Sequence, residues 1–246
     1  MSDEATTQPA QDSSHRPIFS FSRRSGRLTD GQQTSWESLG PKYLVEVERA
    51  ELDFSVSPTF RVDPAELFGR DARLVVEVGS GTGEAVVAAA AAHPEWNFLA
   101  VEVFVAGLAR TLRRVEDAGL SNVRLVEANA VEVLEHMLPA GSVEELWIFF
   151  PDPWHKAKHT KRRLVRDGFG AVAARSLRAG GRMRLATDWE DYAFQMREVL
   201  DAAPEFTSEH PGSWAPRFEG RTLTVFERKA EKAGRRIHDL SYVTAG

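Results

Sequence analysis

Cysteine is absent from the 246-residue chain, so neither a disulfide nor a thiolate metal site can form, a composition that suits a reducing compartment. Long apolar runs are missing as well. The longest, Ala85 to Ala92, is far too short to span a bilayer, and the polar N-terminus lacks the apolar core of a signal peptide. These absences lead us to expect a cytoplasmic protein with no membrane association. Residues 1–15 contain almost no large apolar side chain and cannot offset their ordering entropy, which predicts a disordered tail. Acids are missing from one stretch, Lys156 to Arg166, where six Lys or Arg stand together although the chain carries a formal charge of −5. Nucleic acid responds to the local field rather than to the total, so a mildly acidic body with one basic face is compatible with RNA.

What is present is enough for one sizeable core, with 42 % hydrophobic residues. From Arg73 onward short apolar or β-branched runs alternate with helical segments. Strands are expected at Leu74–Val78, Phe98–Val101, Val123–Val126, Leu146–Phe150 and Met183–Ala186. Helices are expected at Glu84–Ala92, Phe104–Ala118, Val131–Met137, Arg162–Leu177 and Trp189–Ala202, with Gly119 and Gly180 placed to stop them. This alternation predicts an α/β fold: a parallel sheet with helices on both faces. In the tail, Glu205–Ser208 and Thr222–Arg228 read as two antiparallel edge strands around a Pro- and Gly-containing loop. Upstream, RPIFSFSRRSGRLTDGQQTSWESL has no sustained period and reads as an arm folded on the body or on a ligand, or as a plain linker.

The run VVEVGSGTGEA places Gly79, Gly81 and Gly83 between a strand and a helix, where backbone N–H groups face a ligand. Glu102 ends the second strand and is positioned to grip ribose hydroxyls. The spacing is G-x-G-x-G, and Glu77 precedes it. A carboxylate there repels a pyrophosphate and attracts an ammonium or a sulfonium, which favours S-adenosyl-L-methionine over NAD. Asn129, after the third strand, is placed either to meet an adenine edge or to cap the next helix.

In FFPDPWHKAKHTKRR, Pro151 and Pro153 flank Asp152 and stiffen its turn, which is how a reacting group is preorganised. Glu77, Glu102, Asn129 and Asp152 all fall at strand carboxyl ends, the rim where such sheets bind ligands. Trp154 reads equally as a base-stacking or a packing residue. His155 and His159 have metal-ligand spacing, but Lys156, Lys158 and Lys161 repel a cation, so no metal is expected. Asp188 reads as the N-cap of the helix that follows it and also as a substrate contact. TLTVFERK reads first as an edge strand.

These segments, with SRRSGRLTDGQ, FLAVEVF, GLSNVRLVEANAVEVL and ATDWEDYA, resemble the bacterial tRNA guanine N-7 methyltransferases. FFPDPWHK followed by a basic run is specific to that family, whereas the glycine turn is common to most methyltransferases. The resemblance implies a class I S-adenosyl-L-methionine-dependent, Rossmann-like domain over residues 61–246, with a seven-stranded, mostly parallel sheet and an antiparallel edge, preceded by an arm at 16–60. It implies S-adenosyl-L-methionine as methyl donor and guanine(46) of the tRNA variable loop as acceptor. Carried over by position, Glu77, Gly79, Gly81, Gly83, Glu102 and Asn129 bind the donor, and Asp152 sits beside the reacting centre. Lys156, Asp188, Thr224, Val225, Phe226 and Glu227 contact substrate, and Lys158, His159, Thr160, Lys161, Arg162 and Arg163 face the RNA. Position 129 is aspartate in many members, so the amide departs from the pattern. An adenine amino-group methyltransferase, an NAD-dependent oxidoreductase and a non-catalytic RNA-binding module are the alternatives. Both a monomer and a homodimer fit the sequence.

Overall fold

The computed structural model describes residues 20–21 and 27–245. The expected tail at 1–15 and most of the basic segment that follows it lie outside these residues. The first helix, α1 (Asp30–Tyr43), arises from a stretch without apolar periodicity. Its start is set locally: the Thr29 hydroxyl accepts from the Gln32 backbone N–H, and the Gln32 side chain accepts from the Thr29 N–H, a reciprocal capping box. Then come α2 (Pro64–Phe68), β1 (Leu74–Val78), α3 (Glu84–Ala92), β2 (Asn97–Glu102), α4 (Val105–Asp117), β3 (Val123–Glu127) and α5 (Ala130–Glu132). After these lie β4 (Val143–Phe149), α6 (Phe169–Ser176), β5 (Leu177–Thr187), α7 (Glu190–Asp201), β6 (Phe206–Ser208), α8 (Val225–Lys232) and β7 (His238–Thr244).

The strands form one seven-stranded sheet in the order β3-β2-β1-β4-β5-β7-β6. The first five run parallel, and β7 is antiparallel to both β5 and β6. β1 is buried at all five positions, as the Val-rich central strand of a sheet covered on both faces must be. Helices α3 and α4 pack on one face with Phe98 and Trp147, while α6 and α7 cover the other with Leu146 and Tyr192. Because β1 lies between β2 and β4, the strand order reverses there, and the crevice at the carboxyl ends opens at that switch point. The stretch after α1 continues this layer: Val45 N–H donates to Leu125 O at 2.9 Å, and Phe54 O accepts from Asn129 N–H at 2.7 Å.

Several expectations are corrected. Thr222–Arg228 is not a strand. Thr224 caps α8 by accepting from the Glu227 N–H at 3.2 Å, and the edge partner is β7 instead. The expected helix from Arg162 to Leu177 is a 3-10 turn (Ala157–Arg162), an irregular link of bends and turns and then α6, because Leu164 and Val165 leave the helical path to enter the core. Val133–Met137 winds as a π-type turn. Gly180 lies within β5, with φ +69, and stops no helix. Asp188 is not a cap: α7 starts after Trp189, whose N–H donates to the Thr187 hydroxyl at 3.2 Å.

Candidate active site

The loop from Val78 to α3 makes the floor of the crevice. Gly79, Gly81 and Gly83 all have positive φ, which the turn requires of residues without a Cβ. Their surroundings separate two roles. A Cβ on Gly79 meets nothing within 4 Å, leaving the backbone open to a ligand, whereas one on Gly83 would sit 2.4 Å from the Thr111 methyl. Gly83 therefore serves the packing of α4 against the loop. Above this floor a cavity of about 310 Å³ is lined by Gly79, Gly81, Glu102, Asp152, Leu164 and Phe226. Phe21 closes one side of it and stacks edge-on against Phe54 at 5.0 Å.

Glu102 is tied to the loop it faces. Its carboxylate accepts from Gly81 N–H at 2.9 Å, Val103 N–H at 2.7 Å and Phe104 N–H at 3.0 Å. A carboxylate has roughly four acceptor positions, so about one remains for a ribose hydroxyl in this arrangement. Burial pushes its pKa up, the three amides oppose that, and the nearby Asp152 adds to it. Glu77 lines a small adjoining recess that shares Gly79 and Thr82 with the main cavity. One Glu77 oxygen and the Ser80 hydroxyl oxygen are buried there without a hydrogen-bond partner. Burial raises Glu77 to about 8; the Val86 N–H opposes this and the Glu102 charge reinforces it. An orphaned buried carboxyl is costly unless a ligand satisfies it.

Asn129 does not line the cavity. Its Oδ1 accepts from Val131 N–H at 3.2 Å and its Nδ2 donates to Glu132 at 2.6 Å, so the side chain is taken up by the α5 cap. The neighbours Ala128 and Ala130 form the wall there.

The turn carrying Asp152 starts and ends in unusual backbone. Phe150 has φ +53 and Trp154 φ +45, each a conformation that costs a side-chain-bearing residue roughly 1–3 kcal/mol and persists only when its surroundings hold it. Phe150 N–H donates to Ala186 O at 2.8 Å and fixes the entry. Trp154 is held edge and face: its Nε1 donates to Ser20 O at 3.0 Å, and the Arg162 guanidinium lies 3.9 Å from its ring centroid. That is the packing role of the two the sequence left open.

The basic run divides. Lys156, Lys158 and Lys161 are exposed; His159 and Thr160 are half-buried, and partial burial together with Lys158, Arg162 and Lys156 holds the His159 imidazole below its ordinary pKa. Arg162 donates to Phe21 O at 2.7 Å. Arg163 is 2 % exposed and faces inward, so it is not an RNA-facing residue. Asp188 is paired with Arg235 at 2.7 Å outside the cavity. In α8 only Phe226, 55 % exposed, reaches the cavity. Val225 N–H is held by Glu84 at 2.6 Å, and Glu227 is buried between Arg217 and Arg221, which also binds Asp239. Glu227 is thus committed to a buried ion-pair network. Glu84 was missed in the sequence, because an acid at a helix start reads as dipole compensation. Among the described residues no group of three His, Asp or Glu is arranged to hold a metal, and no helix is long and apolar enough to cross a membrane.

The family model described as "Putative methyltransferase" matches residues 71–240. The chain is 44 % identical over 275 residues to a tRNA (guanine-N(7)-)-methyltransferase of Paenarthrobacter aurescens (strain TC1), covering 92 % of this chain and 91 % of the relative. It is 46 % identical to the protein of that name from Nocardioides sp. (strain ATCC BAA-499 / JS614), covering 94 % and 89 %. In fold it is similar to the 16S rRNA methyltransferase KamB, with a TM-score of 0.53 at 15 % identity over 91 % of this chain and 97 % of that one. TrmN from Thermus thermophilus gives 0.51 at 18 % identity, over 74 % and 47 %. The sheet order and its antiparallel edge are those of a class I methyltransferase domain, and the chain belongs to the tRNA (guanine-N(7)-)-methyltransferase family.

Proposed function

We propose that the chain methylates N-7 of a guanosine in the variable loop of tRNA, with S-adenosyl-L-methionine as donor, using 61–246 as the methyltransferase domain and 16–60 as an arm. The observation that carries this reading is the position of Asp152: a carboxylate in a proline-bounded turn, on the wall of the cavity that Gly79, Gly81 and Glu102 also line. The residues fit the donor. Gly79 leaves backbone open, Glu102 retains an acceptor position, and the unpartnered Glu77 oxygen supplies a negative site for a cation. When bound, the donor supplies a methyl group activated on a sulfonium.

Guanine N-7 carries an in-plane lone pair, so no general base is required, and the protein's task is alignment and charge stabilisation. Positive charge appears on the purine as N-7 is alkylated. Asp152 provides a fixed opposite charge for it, or accepts hydrogen bonds from the guanine N-1 and amino groups. Leu164 and Phe226 supply apolar walls that exclude water. Lys158 and Lys161 offer phosphate contacts and Lys156 a contact nearer the base, consistent with their exposure. The test is incubation of the purified protein with unmodified tRNA and the donor, followed by nucleoside analysis. The expected product is 7-methylguanosine. Methylated adenosine in its place would select the amino-group reaction, and no product at all with tight tRNA binding would select a binding protein.

A further inference from the structure

Arg163 stands in a run of cations, yet its side chain is almost wholly enclosed. Its Nε donates to Pro153 O at 2.8 Å and its Nη1 to Gln195 Oε1 at 2.6 Å, while Nη2 pairs with Asp191. The guanidinium lies 4.8 Å from the Tyr192 ring centroid. The irregular link around it is stitched to the same helix from both sides: Val165 N–H donates to the Tyr192 hydroxyl at 3.0 Å, and Gln195 Nε2 donates to Val165 O at 3.0 Å. Burial pushes the Tyr192 pKa up, which keeps that hydroxyl neutral.

The turn it reaches is held at its ends, where the Trp154 ring meets Ser20 O and Arg162. Pro151 and Pro153 have no N–H, so the backbone around Asp152 lacks two of the donors that normally tie a turn down. Both ends sit at positive φ, a strained state that relaxes unless opposed. The Phe150 N–H secures the entry, and the exit carbonyl, Pro153 O, is the atom Arg163 takes. A planar guanidinium can meet a carbonyl, an amide oxygen and a carboxylate at once, and a lysine ammonium cannot match that fork.

We infer that Arg163 is a positioning residue: it locks the Pro151–Pro153 turn onto α7 through Asp191 and Gln195 and so fixes where the Asp152 carboxylate stands. This rests on the methyl-transfer reading for its effect on rate. Displacement of a reacting group by about 1 Å costs on the order of 10²-fold. R163K should therefore lower single-turnover methylation at saturating tRNA by about 10- to 100-fold. The affinity for donor, the affinity for tRNA and the salt dependence of tRNA binding should stay as in the parent.

The experiment compares the full-length parent, Arg163→Lys, Gln195→Ala and the double variant. Single-turnover rates, tRNA binding at several salt concentrations and hydrogen exchange at the Phe150 and Val165 amides, which donate to Ala186 O and to the Tyr192 hydroxyl, are measured for each. Faster exchange at those two amides with protection retained in β1 and β4 is expected, together with a double variant no slower than R163K, since both changes release one anchor. If R163K does not fold, Gln195→Ala alone must show the faster exchange. Unchanged exchange in the folded variants overturns the inference whether or not the parent methylates tRNA. A weaker, flatter salt dependence with normal rate at saturating tRNA would overturn it in favour of a phosphate contact. A parent that makes no 7-methylguanosine, with the exchange result as expected, would defeat the functional reading and leave the anchor standing.

Discussion

Replacing Glu77 by glutamine keeps the size of the side chain and of its neutral form but removes the ability to ionise. In the donor-free protein burial holds this carboxyl at about 8. At pH 7 it is then roughly nine-tenths protonated, since one pKa unit is a factor of ten. A cation seated about 4 Å away contributes on the order of 4 kcal/mol at an effective dielectric of about 20, near three pKa units, which is enough to ionise it. Donor binding at pH 7 should therefore release about 0.9 proton, and affinity should rise close to tenfold per pH unit between about pH 5.5 and 7.5, levelling above 8. Calorimetry in buffers of different ionisation enthalpy reads the proton count directly. The same group sets a stability slope in the donor-free protein. The unfolded carboxyl, near 4.5, has already lost its proton where the folded one keeps it, so stability falls as pH rises from about 4.5 to 8. The full loss is about 4–5 kcal/mol, and Glu77→Gln should flatten it in thermal melts. Zero proton release by the parent, or a melting profile in Glu77→Gln with the parent's pH slope, would refute the assignment of an orphaned neutral carboxyl.

Glu102→Ala should weaken donor binding by about 1.5–3 kcal/mol, the range for a charge-assisted hydrogen bond; unchanged calorimetric affinity in a folded variant would remove it from the site. Asp152→Asn should lower single-turnover methylation by about 10²-fold or more with donor affinity retained, and recovery at saturating tRNA would assign it to anchoring rather than charge stabilisation. Neutralising Lys158 and Lys161 should flatten the salt dependence of tRNA binding by about 0.7–0.9 per lost phosphate contact, and an unaltered slope would place the RNA elsewhere.

The central sheet was legible because its signals are local. β1 and α3 fall where expected: a Val-rich run ends at a glycine turn, and an alanine-rich segment follows it without interruption. The misread tail shows the opposite case. Leu223, Val225 and Phe226 look like strand residues, and the competing signal, Thr224 with Glu227 three positions later, is a capping pattern that outweighs propensity once Glu227 is buried against Arg217 and Arg221. β7 went unseen because its partners are β5 and β6, and pairing is not written in a strand's own composition. At the site, the carboxylates followed from strand ends, but whether a cation faces water or the core depends on residues far along the chain. Arg163 is turned inward by Asp191 and Gln195, 28 and 32 positions away.

The strand order β5-β7-β6 has a consequence for how the chain is made. β7 is translated after both of its neighbours, yet it lies between them, so β5 and β6 cannot pair as a hairpin and must wait for residues 238–244. Until those residues leave the ribosome, β5 presents an open edge of unpaired backbone groups, the kind of surface that recruits other strands. Arg221 also lacks its Asp239 partner over that interval, which leaves α8, and with it the Phe226 wall of the cavity, without one of its ties. A nascent chain shorter than about residue 244 thus exposes an adhesive edge beside an unfinished pocket, and chaperone demand during synthesis should concentrate in that window.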